Sequence, residues 1–221
     1  MEDVLDLYAA PFDPTQPVSC LDEYPLALSA STRPDLPPAP GRTHKQDDEY
    51  RRCGSCSLFG AFQPAAGWRT VAVYPRRTAQ DFAHFLRDLV TLHYPQAAVV
   101  RIVLDNLNTQ TLAALYETFP AEEARAIARK VEWHYTPVHG SWLNMIEIEW
   151  SVLAQQCLGR HLVDEAMVQA EVDAWAARRN RQRATVDWRF TITQARHVLA
   201  HLYPPLDPPE APSASTVRTA A

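Results

Sequence analysis

A nearly uninterrupted apolar run extends from Ala97 to Leu104 and is followed directly by Asp105 and Asn106. Short apolar runs of this kind are typical of β-strands that are buried on both faces, and such strands occur in sheets that helices cover on both sides. The run therefore predicts an α/β protein in which the chain leaves a buried strand at an acidic residue.

The segments around this strand alternate between strand-like and helix-like patterns, which is a mixed α/β order. Thr78 and Asp81 form a predicted capping box at the start of the clearest helix. A long surface loop is predicted over 31–52, because that stretch holds four prolines and a run of mixed charge. The predicted strands are 18–28, 57–63, 68–74, 97–104 and 131–135, and the predicted helices are 78–94, 109–119, 121–130, 142–158 and 164–179.

The chain length of 221 residues suits one ordinary domain with its tails. We expect a lead-in or linker over 1–17, beginning with a short helix, and the domain itself over 18–203. The proline-rich end at 204–221 has the composition of a disordered tail. The six glycines are too widely spaced for a G-x-G-x-x-G turn or a Walker-type phosphate loop, so those two nucleotide-binding folds are excluded.

The net charge of −5 argues against a simple electrostatic clamp for nucleic acid, because such domains normally carry a basic excess. The sequence contains no apolar stretch of 18 residues, and its first residues are acidic where a signal peptide would be basic. We therefore expect a cytoplasmic protein with no membrane partner.

The four cysteines include one C-x-x-C pair, Cys53 and Cys56. A zinc site built on this pair would need His44 or another distant ligand to reach four positions. A zinc or thiol-redox module is thus one hypothesis for this chain, and reduced structural thiols are the alternative.

Acidic residues occur at three places in the predicted fold: inside one strand, at the end of another strand, and on one helix. Asp22 lies within the first strand and Asp105 closes the buried strand, while Glu147 and Glu149 lie on the helix after Trp142. Because the two glutamates are about 200° apart around a helix, only one of them can face the sheet. Three carboxylates at one sheet edge would suit Mg²⁺ or Mn²⁺. Taken singly, an aspartate at a strand end is more often a turn or helix-cap residue, and a glutamate on a helix usually lies on a solvated face.

Several runs of the sequence resemble the catalytic half of mariner-type DDE transposases of bacterial insertion sequences. The resembling runs are CLDEYPL at 20–26, FQPAAGWRTVAVYPRRTAQDFAHFL at 62–86, VLDNLNTQ at 103–110, HYTPVHGSWLNMIEIEWSVL at 134–153 and AWAARRNRQRATVDWRFT at 174–191. The resemblance implies a ribonuclease-H-like fold, similar to retroviral integrases, with a mixed five-stranded sheet flanked by helices. It also implies that Asp22, Asp105 and Glu147 are both the catalytic residues and the metal ligands.

The same resemblance implies metal-dependent chemistry on DNA. Mg²⁺ or Mn²⁺, as two ions, would support cleavage at the ends of the insertion sequence and strand transfer into a target. It further implies a homodimer, since two element ends take part, and an association with the nucleoid.

This sequence also departs from the family pattern. Gln110 stands where relatives tend to have a histidine, and Cys53 to Phe59 replaces an N-G-T-A-N-L-F run. The first residues of this sequence resemble the linker that follows the helix-turn-helix modules in full-length relatives. We therefore expect recognition of the element ends from an upstream helix-turn-helix polypeptide or a frameshift-fused domain. A catalytically silent DNA-binding or regulatory remnant is the alternative.

Basic residues are concentrated between Arg178 and Arg196, where six arginines accompany one aspartate. With the aromatic residues Trp188 and Phe190 between them, these arginines resemble a contact strip for the phosphate backbone. A solvated helix end with core aromatics would give the same pattern. The candidate DNA-binding residues are Arg178, Arg179, Arg181, Arg183, His139 and Trp142, although packing is the favoured interpretation of the tryptophan.

Overall fold

The computed structural model describes residues 1–33, 39–41, 43, 49–105 and 112–203, in two compact units. The first unit is Met1–Trp188, and the second begins at Arg189. The first holds strands β1 (Val18–Ser31), β2 (Tyr50–Gln63), β3 (Trp68–Tyr74), β4 (Val100–Leu104) and β5 (Val131–Tyr135), and helices α1 (Glu2–Ala9), α2 (Ala79–Asp88), α3 (Leu112–Thr118), α4 (Ala121–Arg129), α5 (Ile146–Leu153) and α6 (Glu165–Arg181). The second holds α7 (Ile192–Val198), which begins at a capping box of Thr191 and Gln194.

The five strands form one mixed sheet in the order β3-β2-β1-β4-β5. β2 pairs antiparallel with β1 and with β3, whereas β4 pairs parallel with β1 and with β5. The predicted α/β fold, with a mixed five-stranded sheet flanked by helices, is confirmed. β4 is buried along most of its length, as its apolar sequence predicts.

Helices cover the sheet on both faces. On one face, α2 buries Phe82, Phe85 and Leu86 in a core that includes Phe59 and Ile102 of the strands. On the other face, α5 contacts β1 and β2, and α6 contacts β3. α5 lies so close to β2 that a Cβ atom on Gly60 would be 2.4 Å from Cη2 of Trp150, so this position requires glycine.

Short 3₁₀ or π-helical turns adjoin α2 and α5. The predicted capping box of α2 is confirmed, with the Thr78 N–H donating to Asp81 Oδ2 at 2.8 Å. The helix predicted over 142–158 is shorter than expected, because a separate turn at Ser141–Leu143 precedes α5. Single-turn π-helical segments follow α2 and α5, at Leu89–His93 and Ala154–Leu158.

The loop predicted over 31–52 is wrong at both ends. β1 continues to Ser31 and β2 begins at Tyr50, so the two strands pair up to Ser31 and Tyr50. This end of the β1–β2 ribbon is largely exposed. Its side chains do not alternate between apolar and polar, so the sequence gives no sign that the two backbones pair there. Residues 34–38, 42 and 44–48 of the predicted loop lie outside the described residues.

Residues 1–17, expected as a lead-in, pack within the first unit. Val4, Leu5 and Leu7 of α1 are buried. The N–H of Ala98 donates to the carbonyl oxygen of Thr15 at 2.8 Å, which ties the segment to the start of β4. The predicted tail, 204–221, lies outside the described residues. Across the described ranges, we find no helix with the length and apolar character to cross a membrane.

Candidate active site

The parallel register of β1 and β4 brings Asp22 and Asp105 together. β1 residues pair with β4 residues 83 positions later, as in Cys20 with Val103, and two further steps along each strand reach Asp22 and Asp105. Neighbouring strands are about 4.8 Å apart. The two acids therefore lie side by side at the edge of the sheet where β4 ends.

Asp22 is largely buried and is held by the helix that carries Glu147. The indole N–H of Trp150 donates to Asp22 Oδ2 at 3.1 Å. Burial raises the pKa of Asp22 to about 7, and the negative charges of Glu147 and Asp105 act in the same direction. Hydrogen bonds from the Glu23 backbone and from Trp150 lower this pKa, but they do not outweigh burial.

Asp105 is oriented from the neighbouring strand β5. The hydroxyl group of Thr136 donates to Asp105 Oδ1 at 2.7 Å. The backbone N–H of Thr136 donates to the carbonyl oxygen of Leu104 at 3.0 Å, which extends the β4–β5 pairing by one position. Thr136 thus fixes both the backbone and the carboxylate at the end of β4.

Glu147 lies in the first turn of α5, and its side chain is exposed at the same edge. Two hydrogen bonds anchor the residues just before α5. The Asn144 side-chain amide donates to the carbonyl oxygen of Leu21 at 2.7 Å, and the Tyr8 hydroxyl donates to the carbonyl oxygen of Leu143 at 2.7 Å. Partial burial raises the pKa of Glu147, and so does the charge of Asp105.

Glu149 faces away from this edge, as the helical spacing predicts for one of the two glutamates. Its buried carboxylate lies 2.9 Å from Nε of Arg69 and accepts hydrogen bonds of 2.8 and 3.0 Å from Arg179. Glu149 is therefore bound within the protein and is unavailable to a ligand at the sheet edge.

The three acids converge without forming a closed metal cage. Among the residues that the structure describes, no group of three or more histidine, cysteine, aspartate or glutamate side chains is placed to hold a metal ion. The chemistry of the donor set nevertheless fits Mg²⁺ or Mn²⁺, which prefer carboxylate oxygen. Burial is the larger cause of the raised pKa values of Asp22 and Glu147, and the charge of Asp105 raises both further. A cation at this edge would offset that repulsion.

Residues 17–167 match the family model described as DDE superfamily endonuclease. The match spans more than half of the chain and includes all five strands and the three acids. The chain belongs to the DDE superfamily endonucleases. This membership supports a nuclease function of the transposase type. No curated protein matches the chain in sequence.

The arginines predicted to bind DNA lie at the end of α6 in this DDE endonuclease, beyond the family match. The Asn180 side chain bonds both backbone groups of Arg69 at 2.8 Å, which places the end of α6 against the start of β3. Arg178, Arg181 and Arg183 are exposed, and Arg178 donates to Gln156 at 3.5 Å. Arg179 is instead paired with Glu149, so we remove it from the candidate DNA contacts.

The other two DNA-binding candidates lie on the loop between β5 and α5 of the DDE endonuclease. His139 is exposed and has a positive φ of 62°. Trp142 is 45% exposed, and its ring stacks on Trp188 with centroids 6.4 Å apart and planes 13° from parallel. Trp142 is thus neither a core residue nor an isolated surface side chain. On β5, Nδ1 of His134 lies 2.7 Å from Oδ2 of Asp3.

Sequence reasoning missed the residues of this DDE endonuclease that orient the acids: Trp150, Thr136, Asn144 and Tyr8. One of them had a usable signal. Trp150 lies three residues after Glu147, and side chains at that spacing share one face of a helix. Each of the other three bonds a residue 31 to 135 positions away in the sequence, which no local pattern indicates.

Cys53 and Cys56 both lie within β2 and are free thiols. Cys56 is buried, whereas Cys53 is half-exposed. Burial raises the pKa of the Cys56 thiol to about 11, which disfavours the thiolate that metal binding or redox chemistry requires. Nothing in this geometry favours the zinc or redox hypothesis.

Proposed function

We propose that this chain is the catalytic domain of a mariner-type DDE transposase of a bacterial insertion sequence. In this proposal it cleaves DNA at the ends of the element and transfers the strand to a target. The observation that carries the proposal is the register of β1 and β4, which sets Asp22 beside Asp105, together with Glu147 at the same edge.

Asp22, Asp105 and Glu147 would hold the divalent ions, Mg²⁺ or Mn²⁺, and two ions are proposed. When bound, such ions activate a water molecule or a 3′-hydroxyl group and neutralise charge on the phosphate. The protein's own contribution is orientation, since Trp150 and Thr136 each fix one carboxylate by a hydrogen bond. Rigid supporting bonds of this kind are what a metal-dependent site requires of its ligands.

The DNA partner is proposed to be the element ends and the target. A homodimer follows from the need to process two ends. Recognition of the end sequences is proposed to come from a helix-turn-helix polypeptide or a frameshift-fused domain. Arg178, Arg181 and Arg183 are exposed, and we propose that they contact the phosphate backbone of DNA. They lie beyond the family match, so the family membership does not bear on this role.

The test is a nicking assay on a supercoiled plasmid that carries the genomic sequences flanking both sides of the gene. With Mg²⁺ or Mn²⁺, we expect nicking by the purified protein, and we expect Asp22→Asn, Asp105→Asn and Glu147→Gln each to abolish it. Glu117→Gln on the exposed face of α3 is the matched control and should retain activity. Nicking that survives all three site substitutions would contradict the proposal.

One observation favours a second candidate, the catalytically silent DNA-binding remnant. The three acids do not form a ready metal cage within the described residues. This candidate predicts DNA binding that neither EDTA nor the three site substitutions changes, with no nicking under any metal. Metal-dependent nicking by the unmodified protein would eliminate it.

A further inference from the structure

The loop from Thr136 to Asn144 joins β5 to α5 and is tied to both acid-bearing strands. At its start, Thr136 bonds Asp105 Oδ1 and the carbonyl oxygen of Leu104. At its end, the Asn144 amide bonds the carbonyl oxygen of Leu21, next to Asp22. The loop therefore lies on the rim of the acid site, and its position depends on the same strands as the acids.

Local contacts fix the conformation of this loop. The N–H of Gly140 donates to the carbonyl oxygen of Pro137 at 2.8 Å, and the N–H of Leu143 donates to that of Gly140 at 3.0 Å. A Cβ atom on Gly140 would lie 2.6 Å from Cγ of Pro137, so the turn closes only around glycine. Side chains on such a loop are held in place before any ligand arrives.

Two large apolar side chains of this loop face solvent. Val138 is 82% exposed and Trp142 is 45% exposed. Trp142 stacks on Trp188, and Trp188 makes an edge-to-face contact with Tyr8 at a centroid distance of 5.2 Å. The hydroxyl group of Tyr8 is in turn bonded to the carbonyl oxygen of Leu143. Aromatic contacts thus run from Tyr8 of α1 through Trp188 to the exposed indole of Trp142, on the loop that Thr136 and Asn144 tie to the acid-bearing strands.

We propose that the Trp142–Trp188 pair stacks an unpaired nucleobase of the DNA strand next to the phosphate that is cleaved. The proposal rests on the proposed function, because it takes the substrate to be DNA. Every base offers a π face, and stacking on an aromatic side chain is a sequence-independent way to hold a single strand.

The chemistry of the loop favours this occupant. Residues 136–144 carry no acidic side chain, so the loop itself does not repel a DNA strand that passes over the acids. Bases inside a duplex are already stacked on both neighbours, so the indole reaches the π face of such a base most readily after the base has left the duplex. The pair therefore favours an unpaired base over the double helix.

Fluorescence anisotropy at fixed salt in EDTA, where no cleavage occurs, tests this proposal. Three labelled DNAs are compared: a blunt duplex, the same duplex with a short 3′ thymidine overhang, and the same duplex with an abasic overhang. The unmodified protein should bind the thymidine overhang about 5- to 150-fold more tightly than the other two, as expected for one stacked base. Trp142→Ala should remove this preference.

Two variants make the result specific. Trp142→Phe keeps an aromatic ring and should retain part of the preference, whereas Tyr116→Ala, at a 51% exposed aromatic residue of α3, should leave the preference intact. If Trp142→Ala fails to fold, a 2-aminopurine in the overhang provides a second measurement on the unmodified protein. Its fluorescence should be quenched when it binds the unmodified protein, and the quenching should be weaker with Trp142→Phe.

Equal affinity for the thymidine and abasic overhangs would overturn the proposal, as would a preference that survives Trp142→Ala. Nicking of plasmid DNA without an overhang preference would contradict this proposal alone. An overhang preference without nicking would contradict only the proposed catalytic function. Absence of binding to all three DNAs would contradict both.

Discussion

The carboxylate of Glu149 accepts a two-pronged hydrogen bond from Arg179, at 2.8 and 3.0 Å, only two residues after the site acid Glu147. The same carboxylate lies 2.9 Å from Nε of Arg69, whose side chain is 1% exposed. Through these two arginines, Glu149 fixes α5 to β3 and α6. The face of α5 that carries Glu147 is thereby turned to the sheet edge. The buried Glu149 thus fixes the orientation of α5 about its axis, and α5 carries the exposed Glu147.

Replacing Glu149 with glutamine should destabilise the protein by about 3–5 kcal/mol, because it leaves buried arginine charge without a counter-ion. Urea unfolding measures this change. Glu171→Gln is the matched control, since it removes an ion pair with the half-exposed Arg160. Exposed pairs contribute about 0–1 kcal/mol, so equal effects of the two substitutions would contradict the prediction.

Replacing Trp150 with phenylalanine removes the hydrogen bond to Asp22 Oδ2 and keeps an aromatic ring in place. Because that bond lowers the pKa of Asp22, the substitution should raise this pKa above its present value of about 7. Carboxyl carbon chemical shifts, followed by NMR in a pH titration of the metal-free protein, measure the change. An unchanged or lower pKa would show that the indole does not stabilise the ionised carboxylate.

Replacing Asp22 with asparagine should stabilise the metal-free protein at pH 8. The pKa of Asp22 is raised from 3.8 when unfolded to about 7 when folded, so the folded state binds the extra proton between these values. Stability of the unmodified protein therefore falls as pH rises through this window and stays low above it. Asparagine avoids that loss, and we expect a gain of about 1–3 kcal/mol at pH 8. The gain should vanish near pH 4, as thermal or urea unfolding in EDTA at both pH values would reveal.

Much of the site was predictable from sequence, for identifiable reasons. Asp22 and Asp105 lie in or after apolar strands, where an acid is conspicuous, and the helical period shows that Glu147 and Glu149 point in different directions. Choosing Glu147 required the family resemblance. The pairing of Arg179 with Glu149 was not predictable, because the partners are 30 residues apart and Arg179 lies in a run of arginines. The pairing of β1 and β2 near Ser31 and Tyr50 was missed, because the side chains of these exposed strand ends show no apolar pattern.

Gly60 pairs directly with Asp22 across β1 and β2, and the Trp150 ring lies over it. In Gly60→Ala the new Cβ would lie 2.4 Å from Cη2 and 2.7 Å from Cζ2 of Trp150, so the indole must move away from Asp22. We expect a loss of stability of about 1–3 kcal/mol, typical of overpacking, and loss of nicking. Gly159→Ala is the matched control, because its Cβ would meet only an ordinary contact at 3.5 Å.

A double-mutant cycle separates steric displacement of Trp150 from other effects of the alanine. Phenylalanine at position 150 lacks both indole atoms that the new Cβ would strike, so Gly60→Ala should cost less stability in the Trp150→Phe background. The expected coupling is about 0.5–3 kcal/mol, the range for residues in contact. Nicking should not recover in the double mutant, because the hydrogen bond to Asp22 is still missing. Additive stability losses would show that the Gly60–Trp150 contact does not hold the indole in place.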